Sequence, residues 1–287
     1  MPGTLYIIGL GLCNESDITL SGLNAVKASH RVFLEHYTSI LSIGHERLAA
    51  FYGKDVELAG REVVESESDR ILDATQSGDV SFLVVGDPVC ATTHTDLMIR
   101  ARARGIPLKV IHNASCMGAA GSSGLHLYNF GATVSIPFFT DGWKPTSFLD
   151  KLEYNRGGGM HTLCLLDIKV KEPDFEAMKK GRTEYLPPRY MTVNQAVSQI
   201  KESLPSRSSP NAPTPLTLCV GMARLGHPDQ LIVAGTLDEL GATDFGGPLH
   251  CLIVCGEVHE LEWEAIETYL VQDTKAVMRE ELYGGVK

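Results

Sequence analysis

Short apolar runs and amphipathic stretches take turns along the first 115 residues. LYIIG, RVFLE, DVELAG, VSFLVVG and PLKVIHN read as buried strands, and between them ITLSGLNAVKA, ERLAAFYG, SDRILDATQSG and THTDLMIRARARG repeat their apolar positions at helical spacing. Gly53, Gly78 and Gly105 stand just past the last apolar position of three of these stretches, where a left-handed residue ends a helix. Strand and helix in alternation predict an open, mostly parallel sheet with helices on both faces. In the second half ATVSIPFF, TLCLLDIKV, TLCVGMARL, QLIVAGTL and LHCLIVCG include strands with no helix-sized spacer between them, which predicts a mixed sheet.

The small-residue stretch GAAGSSGLHLYNFG, from Gly118 to Gly131, marks the expected crossover, as a loosely packed helix. Two α/β domains are therefore expected, 1–116 and 117–287. The Ser/Pro-rich segment 203–217, SLPSRSSPNAPTPLT, has too few large apolar groups to offset its ordering entropy and is expected as a surface insert. Leu261, Ile266, Leu270, Val277 and Leu282 lie near helical spacing and predict one closing helix. No internal repeat is evident.

Composition narrows the function classes. With Lys+Arg 25 against Asp+Glu 35 the formal charge is -10, and no basic run would track a phosphate backbone, so nucleic acid is not an expected partner. The chain shows neither a basic leader nor a long apolar span, so a cytoplasmic protein is expected, with no membrane partner. Its Cys 7 include no C-x-x-C pair and sit mostly in strand-like runs, as reduced structural thiols.

The chemistry gathers at strand ends, where an open α/β sheet places its ligand. GLGL follows the first strand; GDPVCATTH, with Asp87 and Pro88, follows the fourth; HNAS, where Asn113 or Ser115 could cap a helix, follows the fifth. Each alone is ordinary turn chemistry, and together they suggest a site for a small, polar, elongated ligand. Gly9 and Gly11 are expected to clear room for it. Glu35 sits where a ribose-binding acid would, but Asn14 occupies the third glycine position of G-x-G-x-x-G, and no P-loop, zinc or serine-nucleophile motif is present. His94, His112 and His250 are the histidines placed near strand ends, each more simply read as structural than catalytic.

LYIIGLGL, FLEHYTS, VVGDPVCATTHTDL, VIHNAS, HTLCLLDIKVKE, PPRYMTVNQA, CVGMARLG with VAGTL, and PLHCLIV, in this order, closely resemble the diphthine synthases, a branch of the tetrapyrrole-methylase-like S-adenosylmethionine (SAM) methyltransferases. The resemblance implies two α/β domains with SAM in the cleft between them, a homodimer, and methylation of the aminocarboxypropyl-histidine intermediate on translation elongation factor 2. By motif it assigns SAM contacts to Leu12, Asp87, Cys90, Ser115, Cys116, Leu166, Leu225 and His250, with S-adenosylhomocysteine as product. It names no catalytic base and no metal. Cys90 departs from the glycine usual in G-D-P-x-G, at a cost of about 1 kcal/mol if that backbone needs positive φ. EHYTS and PPRYMTVNQA are expected to receive the substrate loop. Within the same fold, methylation of a tetrapyrrole or of ribosomal RNA is the alternative, and a non-catalytic SAM-binding module is another.

Overall fold

The computed structural model describes residues 2–37, 41, 43–170, 172, 174–182 and 184–271. Thr38 and Ser39 of EHYTS, and Val277 and Leu282 of the expected closing helix, lie outside the described residues. The chain divides into two compact units, Met1–Ala119 with Ile168–Pro188, and Ala120–Asp167 with the chain from Arg189 onward.

In the first unit the five expected strands form: β1 (Leu5–Gly9), β2 (Arg31–Glu35), β3 (Glu57–Ala59), β4 (Val80–Val84) and β5 (Leu108–Ile111). They pair in parallel in the order β3-β2-β4-β1-β5. Neighbouring residues of one strand feed opposite cores. Ile7, Phe33 and Phe82 join one apolar cluster with Leu97 and Ile71, whereas Ile8, Leu34 and Leu83 join another with Val26 and Leu48. Both faces are therefore covered, which a parallel sheet requires. Gly53 ends the helix His45–Tyr52 in the left-handed conformation, and Gly105 adopts positive φ after the helix Thr95–Ala103. The chain leaves β1 toward β2 and leaves β4 in the opposite direction toward β5, so the connections reverse between these two strands.

The second unit holds a mixed sheet. Strands β6 (Val134–Ile136) and β7 (Thr162–Leu166) are parallel; β8 (Ile168–Lys169) opens the excursion that belongs to the first unit, and β9 (Arg189–Tyr190) follows it. Strands β10 (Leu218–Ala223), β11 (Leu231–Thr236) and β12 (His250–Val254) complete the order β11-β10-β12-β7-β6, antiparallel apart from β6 and β7. Leu149 and Leu152 of the helix Ser147–Gly157 pack in its core with Val197 and Ile200 of the helix Val193–Ser203. The helix Val193–Ser203 begins with a reciprocal capping box between Thr192 and Gln195.

Two local expectations need correction, at the crossover and at the closing helix, and the Ser/Pro segment between them gains anchors. Between Gly118 and Gly131 there is no continuous helix: the helix Cys116–Ala119 gives way to 3-10 turns at Ala120–Ser123 and Leu127–Asn129. The 203–217 segment, mostly exposed, is anchored at two points: Arg207 pairs with Glu153 and Asp150, both at 2.6 Å, and the carbonyl of Asn211 accepts from Arg156 Nε at 3.0 Å. The expected closing helix spans Glu260–Ile266 and passes into a 3-10 turn over Glu267–Tyr269. Its buried face is Glu262 and Ile266, while Leu261 is exposed. No helix among the described residues is long and apolar enough to cross a membrane.

Candidate functional site

The ends of β1, β4 and β5 are tied to one another by hydrogen bonds that leave little slack. Gly11 and Gly86 exchange both backbone bonds, at 3.2 and 2.8 Å, joining the loops after β1 and β4. The Asn113 side-chain amide donates to the carbonyls of Gly9 (2.9 Å) and Asp17 (3.0 Å), which brings in the loop after β5. Asp17 in turn accepts from the N–H groups of Leu12 and Cys13. A Cβ at Gly9 would lie 2.6 Å from the Gly86 carbonyl oxygen and 2.8 Å from Asn113 Cβ, and one at Gly11, which has positive φ, 2.6 Å from Asp17 Cβ. The room left by these glycines is thus filled by the protein's own loops, contrary to the expectation that it is held for a ligand.

Asp87 is the hub of this junction. The residue is 5% exposed; Oδ1 accepts from Val89 N–H at 2.9 Å, and Oδ2 accepts from Asn113 N–H at 3.1 Å and lies 2.9 Å from His112 Nδ1. Burial alone would raise the carboxyl, but the backbone donors of Val89 and Asn113 and the His112 ring outweigh it and hold Asp87 below the ordinary aspartate value. Ser115 precedes the short helix Cys116–Ala119, and its hydroxyl accepts a long bond from Gly118 N–H at 3.4 Å. Burial, with Cys90 nearby, pushes the Cys116 thiol up. Leu12, Asp87, Cys90, Ser115 and Cys116 therefore all lie on the three strand-end loops of one sheet. None of the segments Gly9–Asp17, Gly86–His94 and His112–Cys116 contains Lys or Arg, so they supply no cation for a phosphate.

The remaining candidates share one end of the second sheet. Ala223 pairs with His250, and Cys251 with Leu165, so Leu225, His250 and Leu166 fall at the same edge of β10, β12 and β7. Arg224, in the left-handed region at φ 52, donates from Nη1 to the carbonyls of Phe245 (2.7 Å) and Gly247 (2.6 Å) and ties the 245–249 loop to the end of β10. Both His250 nitrogens are engaged: Nδ1 accepts from Val193 N–H at 3.3 Å, and Nε2 bonds the Gly247 carbonyl at 2.9 Å.

A family model for Tetrapyrrole (Corrin/Porphyrin) Methylases matches residues 4–241. The chain belongs to that methylase family. A human relative, diphthine methyl ester synthase, is 52% identical over 95% of this chain and 97% of its own length. The Dictyostelium discoideum diphthine methyl ester synthase is 52% identical over 93% and 98%. A crystal structure of diphthine synthase superposes with TM-score 0.81 at 29% identity, covering 96% of this chain and 99% of the other.

In this methylase the positive-φ residues of the GDPVCATTH loop are Gly86 (φ 76) and Ala91 (φ 58), and Cys90 does not need positive φ, so the expected penalty at Cys90 does not arise. Much of PPRYMTVNQA is accounted for by folding: besides the Thr192 box, Asn194 donates to the carbonyls of Gly241 and Thr243. Asn113, expected as a possible helix cap, is the cross-link of the junction instead, and Asp17 joins it with no signal in the sequence. An Asx residue inside a polar turn carries no mark of which distant carbonyl or N–H it will meet.

Proposed function

We propose that this methylase uses SAM to methylate the aminocarboxypropyl-histidine intermediate on translation elongation factor 2 in diphthamide biosynthesis, giving diphthine or diphthine methyl ester. The observation that carries the reading is the identity above 50%, over nearly the whole of both chains, to relatives named diphthine methyl ester synthase. The donor set supports it: a buried carboxylate among loops free of cations suits a cofactor with a cationic centre and no phosphate. The cofactor contacts are Leu12, Asp87, Cys90, Ser115 and Cys116, with Leu166, Leu225 and His250 from the second sheet. SAM, when bound, supplies an electrophilic methyl group together with its own leaving group. What this chain's residues must do is align the acceptor, keep water out and strip the proton from the acceptor amine. The enzyme works in the cytoplasm as a homodimer.

The test is to incubate the protein with labelled SAM and elongation factor 2 that carries the unmethylated intermediate. Label appears on the modified histidine of the factor. Absence of label, with the factor verified by mass spectrometry, would refute the proposal.

A further inference from the structure

An aliphatic amine is protonated at neutral pH and cannot attack an electrophilic carbon until a proton leaves. An aminocarboxypropyl amine has three N–H bonds to lose if it is to become trimethylated, so a base has to act repeatedly.

Of the three histidines near strand ends, two cannot do this. His94 is 0% exposed, packed edge-on against Phe82, with Nδ1 3.3 Å from the Pro88 carbonyl. His250 has both nitrogens engaged within its own loop and with Val193. His112 differs from both. Its side chain is 67% exposed, Nδ1 sits 2.9 Å from Asp87 Oδ2, and Nε2 makes no hydrogen bond among the described residues. Asp87 is itself fixed by two backbone donors, so it is a rigid acceptor that holds the proton of a neutral ring on Nδ1 and leaves the Nε2 lone pair outward. A carboxylate behind an imidazole also stabilises the imidazolium formed when the ring takes a proton.

We infer that His112 is the general base that deprotonates the acceptor amine, with Asp87 as its positioning residue. This rests on the function proposed above. In the step the ammonium N–H bond breaks, its electron pair stays on nitrogen, and the proton forms a new bond to His112 Nε2. The imidazolium, paired with Asp87, then passes the proton to water before the next round. His112 stands three residues from Ser115 and four from Cys116, so the base and these proposed cofactor contacts share one loop.

The decisive variant is His112→Asn, because its amide nitrogen can still donate to Asp87 while the base is gone; the exposed position makes misfolding no obstacle. Three readouts apply. Nitrogen NMR of the free wild-type protein shows His112 as the Nδ1–H tautomer. Calorimetry gives His112→Asn a SAM dissociation constant within about threefold of wild type. Its rate of methyl transfer to nitrogen falls roughly 100-fold or more, and is restored in part by added imidazole or by raising the pH.

Several results overturn the inference: a wild-type rate in His112→Asn, a loss that tracks weakened SAM binding, a loss that neither imidazole nor higher pH relieves, or an Nε2–H tautomer in the free protein. Failure of the wild-type protein to methylate the factor would instead bring down the proposed function, and the two failures are told apart by that control.

Discussion

Replacing Gly9 by alanine separates two accounts of the glycine pair after β1. The added Cβ would stand 2.6 Å from the Gly86 carbonyl oxygen, 2.8 Å from Asn113 Cβ and 3.0 Å from Pro88 Cδ. Carbon atoms in contact settle at about 3.5–4.0 Å, so the β4 and β5 loops must each retreat by roughly half an ångström or more. Neither can do so freely, since Gly86 is bonded to Gly11 and Asn113 to Gly9 and Asp87. Overpacking of this kind costs about 1–3 kcal/mol. A loss of 2 kcal/mol lowers the melting temperature by roughly 4–8 °C for a unit of this size. The comparison is Gly53→Ala, where no atom lies within 4 Å and only the positive φ is strained, at about 1 kcal/mol. Calorimetric melting of both variants without any ligand is the assay. If Gly9→Ala melts within about 1 °C of wild type, the glycine is not there for loop packing, and the steric argument fails.

Asp87→Asn is expected to weaken SAM several-fold more than S-adenosylhomocysteine, because the methyl donor carries a positive sulfur that the product lacks; equal losses by calorimetry would leave Asp87 as a hydrogen-bond acceptor only. Burial, opposed by Glu262, holds the His161 imidazole below the ordinary histidine value. The unfolded chain therefore takes up that proton near pH 6.5 while the folded one resists, so His161 contributes stability above that pH and loses it as the pH falls. Melting temperature should decline on acidification through this range, less steeply in His161→Asn; an identical slope in both would exclude His161 as a source, leaving His94 and His250, which burial also lowers. Ala91→Gly is expected to stabilise by about 1 kcal/mol, since Ala91 holds φ 58; a lower melting temperature would contradict this.

The strands of the first unit were legible because each is a dense apolar run bounded by turn residues, and the period of burial survives in the sequence as pattern. Their lateral order was not, since β4 between β2 and β1 is a property of crossover connections that leave no local trace. Asp87 and His112 could each be seen at a strand end, yet their 2.9 Å contact joins residues 25 apart on two different loops. Leu261 was a natural choice for the buried face of the last described helix. Glu262 takes that place because three histidines surround it, two of them through the backbone: it accepts from the N–H groups of His126 and His259 at 2.8 Å and lies 3.2 Å from His161 Nε2. Hydrophobicity alone cannot announce a carboxylate whose burial is compensated by partners scattered over 136 residues of chain. The anchoring of the Ser/Pro segment is illegible for a related reason, as a single Arg207 with two acidic partners supplies the hold that apolar surface does not.

The excursion of Ile168–Pro188 into the first unit means that the backbone passes from one unit to the other three times, after residues 119, 167 and 188. Neither half can be excised with one cut. During synthesis the five-stranded sheet of the first unit emerges whole well before the last piece of that unit, which waits until part of the other half has been made. A protein stopped at Ala119 should be less stable than its complete five-stranded sheet suggests, and loss of a short late segment would be felt in the earliest part of the chain.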